Sequence, residues 1–401
     1  MKSHLLTICV ILSSCLCITN SNAQTLTYRQ INEEILFAPE FEAYKYGRRT
    51  DENGVGKAWF ERFRILHISD IHQCNENLAE ALEVAAPRMH AVLNTGDDAN
   101  GVRSSDAGTV KKELDASIGT VLKTNTIPFM QVPGNHDVTG LTKKEYFDKI
   151  GSAVSRFCPE VVWGDEAGYR SYGYMDFTEA SYNGNFRIIM LDPFDYDDGM
   201  FETKYQFISA VFSQKQIDWF IETLTDAAVK GLHVITMMHY SFGDNPIFDE
   251  KTANPDATFC QDPFMIPDII DAVQHKGKLS RTYEDKAGIH DVRVDCDFSD
   301  VPELDFIVHL FGHIHSKNDY QCQRSDGKKY DMLMLGESSI GISGTALNKK
   351  HVERGTMAGI AFSALEIDVF EKAIYRVSYG VYLNYDKSDS ERTTKIPYRF
   401  N

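Results

Sequence analysis

Five short clusters along the chain combine carboxylate, imidazole and amide side chains. They are Asp70-Ile71-His72, Gly96-Asp97-Asp98, Gly134-Asn135-His136-Asp137, His239, and Gly312-His313-Ile314-His315. Seven of these side chains have metal-ligating chemistry: Asp70, His72, Asp97, Asn135, His239, His313 and His315. Imidazole, carboxylate and amide oxygen together suit zinc, manganese or iron, and the lack of thiolates argues against a purely structural zinc. Seven donors exceed the needs of one tetrahedral ion but fit two ions sharing a carboxylate. Two divalent or trivalent ions about 3.5–4 Å apart would activate a bridging water and clamp the oxygens of a phosphoryl group. Taken one at a time the clusters are weak signals. An Asp after a strand usually caps a helix or sits in a turn, and a single histidine such as His239 is usually a packing or surface residue.

The elements that must position these side chains follow from hydrophobic periodicity. Residues 63–68, 91–93 and 129–132 read as short buried strands, with helical spacing at Leu78, Leu82 and Ala85 and again at Val110, Leu114, Ile118 and Leu122 between them. Ser104 or Ser105 would cap the second helix. This alternation argues for βαβ units with a parallel core. Residues 169–177 and 186–191 read as a hairpin across Asn183-Gly184. A helix capped by Ser213 carries Ile217, Phe220, Ile221 and Leu224, and residues 234–238, 306–310, 332–335, 360–369 and 373–379 read as further strands. Each chemical cluster sits at or just beyond the C-terminal end of a strand, where open α/β sheets place ligands. Gly96, Gly134 and Gly312 would allow tight turns there.

The order of the clusters carries more than any one of them. DxH, GD, GNHD, H and GHxH, running from Asp70 to His315, resemble the calcineurin-like metallophosphoesterases. The resemblance covers roughly residues 61–380. It implies an α/β fold of two packed mixed β-sheets flanked by helices, a β-sandwich with a dinuclear metal site at strand C-terminal ends. It implies that Asp70, His72 and His315 hold one metal, that Asn135, His239 and His313 hold the second, and that Asp97 bridges them. It also implies that His136 faces the leaving-group oxygen. Such a protein would hydrolyse phosphoric mono- or diesters, a metal-bridging hydroxide attacking phosphorus while His136 assists departure. The alternative is a catalytically inactive metal-binding scaffold of the same fold. One departure is visible: the family often has an Asp three residues after the bridging Asp, where this chain has Asn100. The acid partner of His136 is therefore open: Asp98, the catalytic candidate, or Asp137 would substitute, or either would be purely structural. Purple acid phosphatases have a Tyr ligand at that same position, so Asn100 also argues against a tyrosinate-bound ferric ion.

Composition bounds the partners. The 401 residues hold 41 Lys plus Arg against 58 Asp plus Glu, a formal charge of −17, which disfavours nucleic acid and anionic lipid but not a small phosphoester. Residues 1–23 read as a signal peptide: Lys2, an apolar run over 5–12, and Ser21-Asn22-Ala23 before the cleavage point. Leu12-Ser13-Ser14-Cys15 also resembles a bacterial lipobox, which would make a lipid on Cys15 the one route to a membrane. Either way the protein is expected to be exported, whether periplasmic, secreted or lipid-anchored. Cleavage after Ala23 leaves five cysteines with no CxxC pair, so neither a disulfide scaffold nor a zinc ribbon is signalled. The expected organisation is a lead-in segment over 24–60 and one domain over 61–401 with a polar insertion at 241–300. With that insertion as the substrate wall, Tyr240, Phe242, Phe248 and Phe259 would be available to pack against an organic leaving group, about half of them instead anchoring the loop. His67, His309 and Trp219 read as packing residues, and the acidic run 195–199 as a solvated loop. Nothing in the sequence indicates an oligomeric state.

Overall fold

A computed structural model describes residues 38–50, 56–101, 107–138, 141–165, 169–179, 184–195, 210–242, 261–284, 291–315, 317–324, 326–337, 340, 360–380 and 393–400. Two mixed sheets pack face to face. The first has six strands. Its parallel centre is β3 (Phe63–Ile68), β4 (Ala91–Asn94) and β5 (Phe129–Gln131). Antiparallel strands β15 (Ala361–Asp368), β16 (Ala373–Gly380) and β17 (Thr393–Pro397) extend it from β3. The second has seven strands. Its parallel centre is β8 (Phe186–Met190), β9 (His233–Met237), β12 (Asp305–Phe311) and β14 (Lys329–Gly336). Antiparallel β13 (Asn318–Gln323) closes one edge, and β7 (Gly173–Phe177) and β6 (Val162–Trp163) the other.

The parallel strands are apolar along their length because both faces are covered. All six residues of β3 are buried. Phe63 and Ile65 face the second sheet, with the Phe63 ring 4.4 Å from that of Phe186, whereas Leu66 and Ile68 face the outer helical layer. That layer holds α2 (Asn75–Val84), which buries Leu78, Ala81 and Leu82. Packed against α2 is α3 (Ala107–Thr124), burying Val110, Leu114 and Ile118. The helix α4 (Lys143–Phe157) was not anticipated, although Thr142 and Glu145 form a reciprocal capping box at its start. Over the second sheet lies α5 (Gln214–Lys230), capped by Ser213 Oγ on Gln216 N–H and ended by Gly231 at φ 64°.

Two stretches gain elements and one residue differs from expectation. The lead-in 24–60 contains α1 (Ala38–Tyr44) and the hairpin β1 (Tyr46–Thr50) with β2 (Gly56–Glu61). The 241–300 insertion is ordered over much of its length as α6 (Met265–Gln274) and the hairpin β10 (Lys278–Tyr283) with β11 (Val292–Asp297). Asp195 is buried rather than solvated: Lys143 binds it and lies 3.3 Å from Asp192. The leader, Cys15, the Ser104/Ser105 cap, Asn183, residues 196–199, Phe248 and Phe259 lie outside the described residues.

Candidate metal centre

The clusters leave the C-terminal ends of five parallel strands, three from one sheet (β3, β4, β5) and two from the other (β9, β12). Backbone hydrogen bonds tie the loops together beyond the strands: Asp70 N–H to Gly96 O at 2.8 Å, His72 N–H to Asp97 O at 3.0 Å, and Gly312 N–H to His239 O at 3.0 Å. The backbone is strained here. Nine non-glycine residues among those described have left-handed φ, and five are expected ligands: Asp70 (52°), His72 (44°), Asp97 (62°), His313 (69°) and His315 (51°). Such conformations cost free energy and persist where surrounding structure imposes them. Close approach explains two glycines. A Cβ on Gly134 would meet Asp97 Oδ1 at 2.1 Å, and one on Gly312 would meet Ser69 Oγ at 1.8 Å.

These constraints gather the seven side chains into two adjoining groups. In the first, one donor atom each from Asp70, His72, Asp97 and His315 lie mutually within 4.8 Å. His315 Nε2 is 3.1 Å from Asp70 Oδ1 and 3.0 Å from His72 Nε2. In the second, Asp97, His239 and His313 converge in the same way. Asn135 Oδ1 joins them, 3.1 Å from His239 Nε2 and 3.0 Å from His313 Nδ1. Asp97 belongs to both groups through Oδ2, which is 3.1 Å from His239 Nε2 and 3.9 Å from His72 Nε2.

The surroundings aim each ligand. Asp70 Oδ2 accepts Ser69 Oγ–H and the His313 N–H, which turns Oδ1 inward. Asp97 Oδ1 accepts the His136 N–H at 2.8 Å, and among the described residues no donor is aligned on its buried Oδ2. His72 Nδ1 donates to Ala99 O and His239 Nδ1 to Thr95 O, so both present the Nε2 lone pair to the interior. Lone pairs of oxygen and nitrogen thus converge with few protons to share, which fits bound cations. Electrostatics agree. Burial raises Asp97, but the imidazoles of His239 and His136 outweigh it and hold the carboxyl well below its usual range. Burial pushes His72 down, and pushes His313 down to about 3, which keeps both neutral and ligating. Burial opposes charge on His239 too, yet the Asp97 carboxylate raises it to about 9. A cation at this point would take the place of that proton.

His136 stands beside this cage. Its ring is part-exposed, and Nε2 lies 3.9 Å from Asp97 Oδ2. Its Nδ1 donates to the carbonyl of Gly101 at 2.6 Å. Of the two readings of Asp98, partner of His136 or structural residue, the geometry matches the second. The Asp98 carboxylate turns into the core and accepts from Asn94 Nδ2, Ser117 Oγ and Gln131 Nε2 at 2.8–2.9 Å. Asp137 is likewise engaged elsewhere, by the N–H groups of Asp97, Ala99 and Gly134. The carbonyls of Gly101, Ala99 and Thr95 were invisible in the sequence because every residue type carries one. Ser69, next to the first motif, was the one supporting side chain adjacency could have suggested.

Two of the four aromatics take the anchoring role. Tyr240 is buried, with its ring 4.7 Å from that of His313, and Phe242 packs on His309 at 4.5 Å. Both anchor the loop from within. His67 and His309 are core residues, bonded to Thr95 Oγ1 and to the Tyr240 carbonyl respectively. Trp219 stacks over Tyr174 and packs at a tilt against Tyr172.

Two donor groups sharing one carboxylate, set on the joined rims of two mixed sheets, define a candidate dinuclear metal centre. The chain belongs to the calcineurin-like phosphoesterases, whose family model matches residues 63–317. Membership supports a metal-dependent phosphoesterase and implies two metal ions. No curated protein matches the chain. Among solved structures, a dimetal phosphatase from Danio rerio is similar in fold: 13% identity, TM-score 0.50, over 84% of this chain and 99% of that one. A purple acid phosphatase, PPD1, from yellow lupin (Lupinus luteus) is 11% identical with TM-score 0.40, over 82% of this chain and 56% of that one. PhoD is 9% identical with TM-score 0.42, over 82% and 74%. The last two scores are too low to carry weight.

Proposed function

We propose that the protein is an exported two-metal hydrolase of small phosphoric esters. Asp70, His72, His315 and Asp97 would hold one ion, and Asn135, His239, His313 and the same Asp97 the other. When bound, the pair supplies Lewis acidity toward the phosphoryl oxygens and a water activated for attack. The chain's own residues do the rest. The shared Asp97 fixes the spacing of the two groups, and the hydrogen bonds of Ser69, Ala99 and Thr95 keep the ligands aimed. With Nδ1–H given to Gly101, His136 in its imidazolium form presents Nε2–H toward the site. As the ester P–O bond breaks, its electron pair stays on the leaving oxygen, which takes that proton. General-acid help of this kind is worth roughly 10²–10⁴-fold.

The observation that carries the reading is the position of His136 Nε2, 3.9 Å from the oxygen both metal groups share. Export rests on the leader pattern over 1–23 and on Cys15. Among the described residues no helix is long and apolar enough to cross a membrane.

The test is a panel of aryl and alkyl mono- and diesters, assayed with zinc, manganese and iron reconstituted one at a time. His136→Ala should lose roughly 10²-fold or more on esters with poor leaving groups and far less on nitrophenyl esters. Bound metal without turnover of any ester would establish the inactive scaffold instead.

A further inference from the structure

The stretch 97–101 touches each part of the leaving-group side of the centre. Asp97 supplies the shared carboxylate. The carbonyl of Ala99 receives His72 Nδ1 at 3.1 Å, and that of Gly101 receives His136 Nδ1 at 2.6 Å. Alternate carbonyls of one strut therefore aim two imidazoles. Asp137 clamps its inner end through the N–H groups of Asp97 and Ala99, both at 2.8 Å. The outer end is clamped from α3: the Asn100 N–H donates to Glu113 Oε2 at 2.9 Å. That helix is a firm support, with Val110 and Leu114 buried on either side of Glu113 and Ser117 bonded to Asp98.

We infer that Glu113 is a positioning residue for His136, acting through the Asn100–Gly101 backbone; the inference rests on the leaving-group role proposed above. A backbone carbonyl is only as well aimed as the loop that carries it. Asn100 offers no carboxylate where one would orient the histidine directly, and glycine at 101 permits many backbone conformations. A charge-assisted bond from Glu113 at the preceding residue restricts them. Without it the Gly101 carbonyl swings, the ring swivels, and proton delivery to the departing oxygen loses its geometry. Metal binding and attack on phosphorus do not depend on that bond.

The experiment compares kcat on phenyl and p-nitrophenyl esters of the metal-loaded protein, because only the poorer leaving group needs the proton. Glu113→Ala should lower the phenyl to p-nitrophenyl ratio roughly tenfold with KM unchanged. Glu113→Gln keeps an acceptor oxygen and should restore the ratio. Lys112→Ala, on the exposed side of the same helix, should leave it alone. On a His136→Ala background, Glu113→Ala should change the ratio no further. An equal loss on both esters, or a drop that persists without His136, overturns the inference while leaving the role of His136 intact. An unchanged ratio in His136→Ala itself overturns both.

Discussion

Two clusters of buried carboxylates lie on the same rim and are neutralised differently. Beyond β8, Asp192 and Asp195 share Lys143, an ammonium built into the chain. Its charge lowers Asp195 against the effect of burial, while Asp192, more dominated by burial, rises to about 6. Beyond β3 and β4, Asp70 and Asp97 meet imidazoles and an amide instead, with ligand atoms converging from both sheets. The first cluster is complete as folded and ties α4 to the second sheet and to the start of α5. The second is arranged around charge that must come from solution. A convergent acid cluster containing a lysine is a strut; one lined by imidazoles and an amide is a binding site.

The sharpest way to break this comparison is at the shared carboxylate. Asp97→Ala should reduce kcat/KM by about 10³-fold or more and lower bound metal below two ions per chain, read by turnover and elemental analysis of a folded protein. A wild-type rate would mean that the cage is not the site. The matching change in the strut is Lys143→Met, which leaves two buried carboxylates uncompensated. It should destabilise the fold by about 3–5 kcal/mol in urea titration while metal stoichiometry stays at two.

A buried carboxylate outside both clusters sharpens the contrast. Glu366 is fully buried, and neither oxygen has a hydrogen-bond partner among the described residues. Burial pushes its carboxyl up to about 9, with Arg62 and Arg64 opposing. This acid is neutralised by a proton. Its folded pKa exceeds the unfolded value, so the unfolded chain ionises first and stability falls as pH rises from about 4.5 toward 9. Glu366→Gln should flatten that decline and add about 2 kcal/mol at pH 8, with a smaller gain at pH 5. Equal gains at both pH values would place the stabilisation elsewhere.

Much of this was legible beforehand, for identifiable reasons. The strands of the parallel centres are short unbroken apolar runs, and Phe63–Ile68 and Phe186–Met190 announce themselves that way. The edge strand β13, Asn-Asp-Tyr-Gln-Cys-Gln, alternates only weakly and went unrecognised. The α4 capping box was present in the letters but is short, and apolar residues on that helix are interrupted by charges. The roles of the aromatics at 240 and 242 stay open in the letters because residue type alone does not reveal which side of a loop faces the core.

The sequence by itself determined the ligand chemistry and its order. Side-chain functional groups, glycine spacing and strand periodicity are local properties, written residue by residue. It did not determine how Asp97 and Asp98 divide their work. They are neighbours of the same type, yet one turns an oxygen to the cage while the other is consumed by Asn94, Ser117 and Gln131. Nor could it show that His136 leans on a carbonyl held in place from a neighbouring helix. Those outcomes depend on which donors arrive from elsewhere in the chain, and a hydrogen bond is decided by geometry in three dimensions.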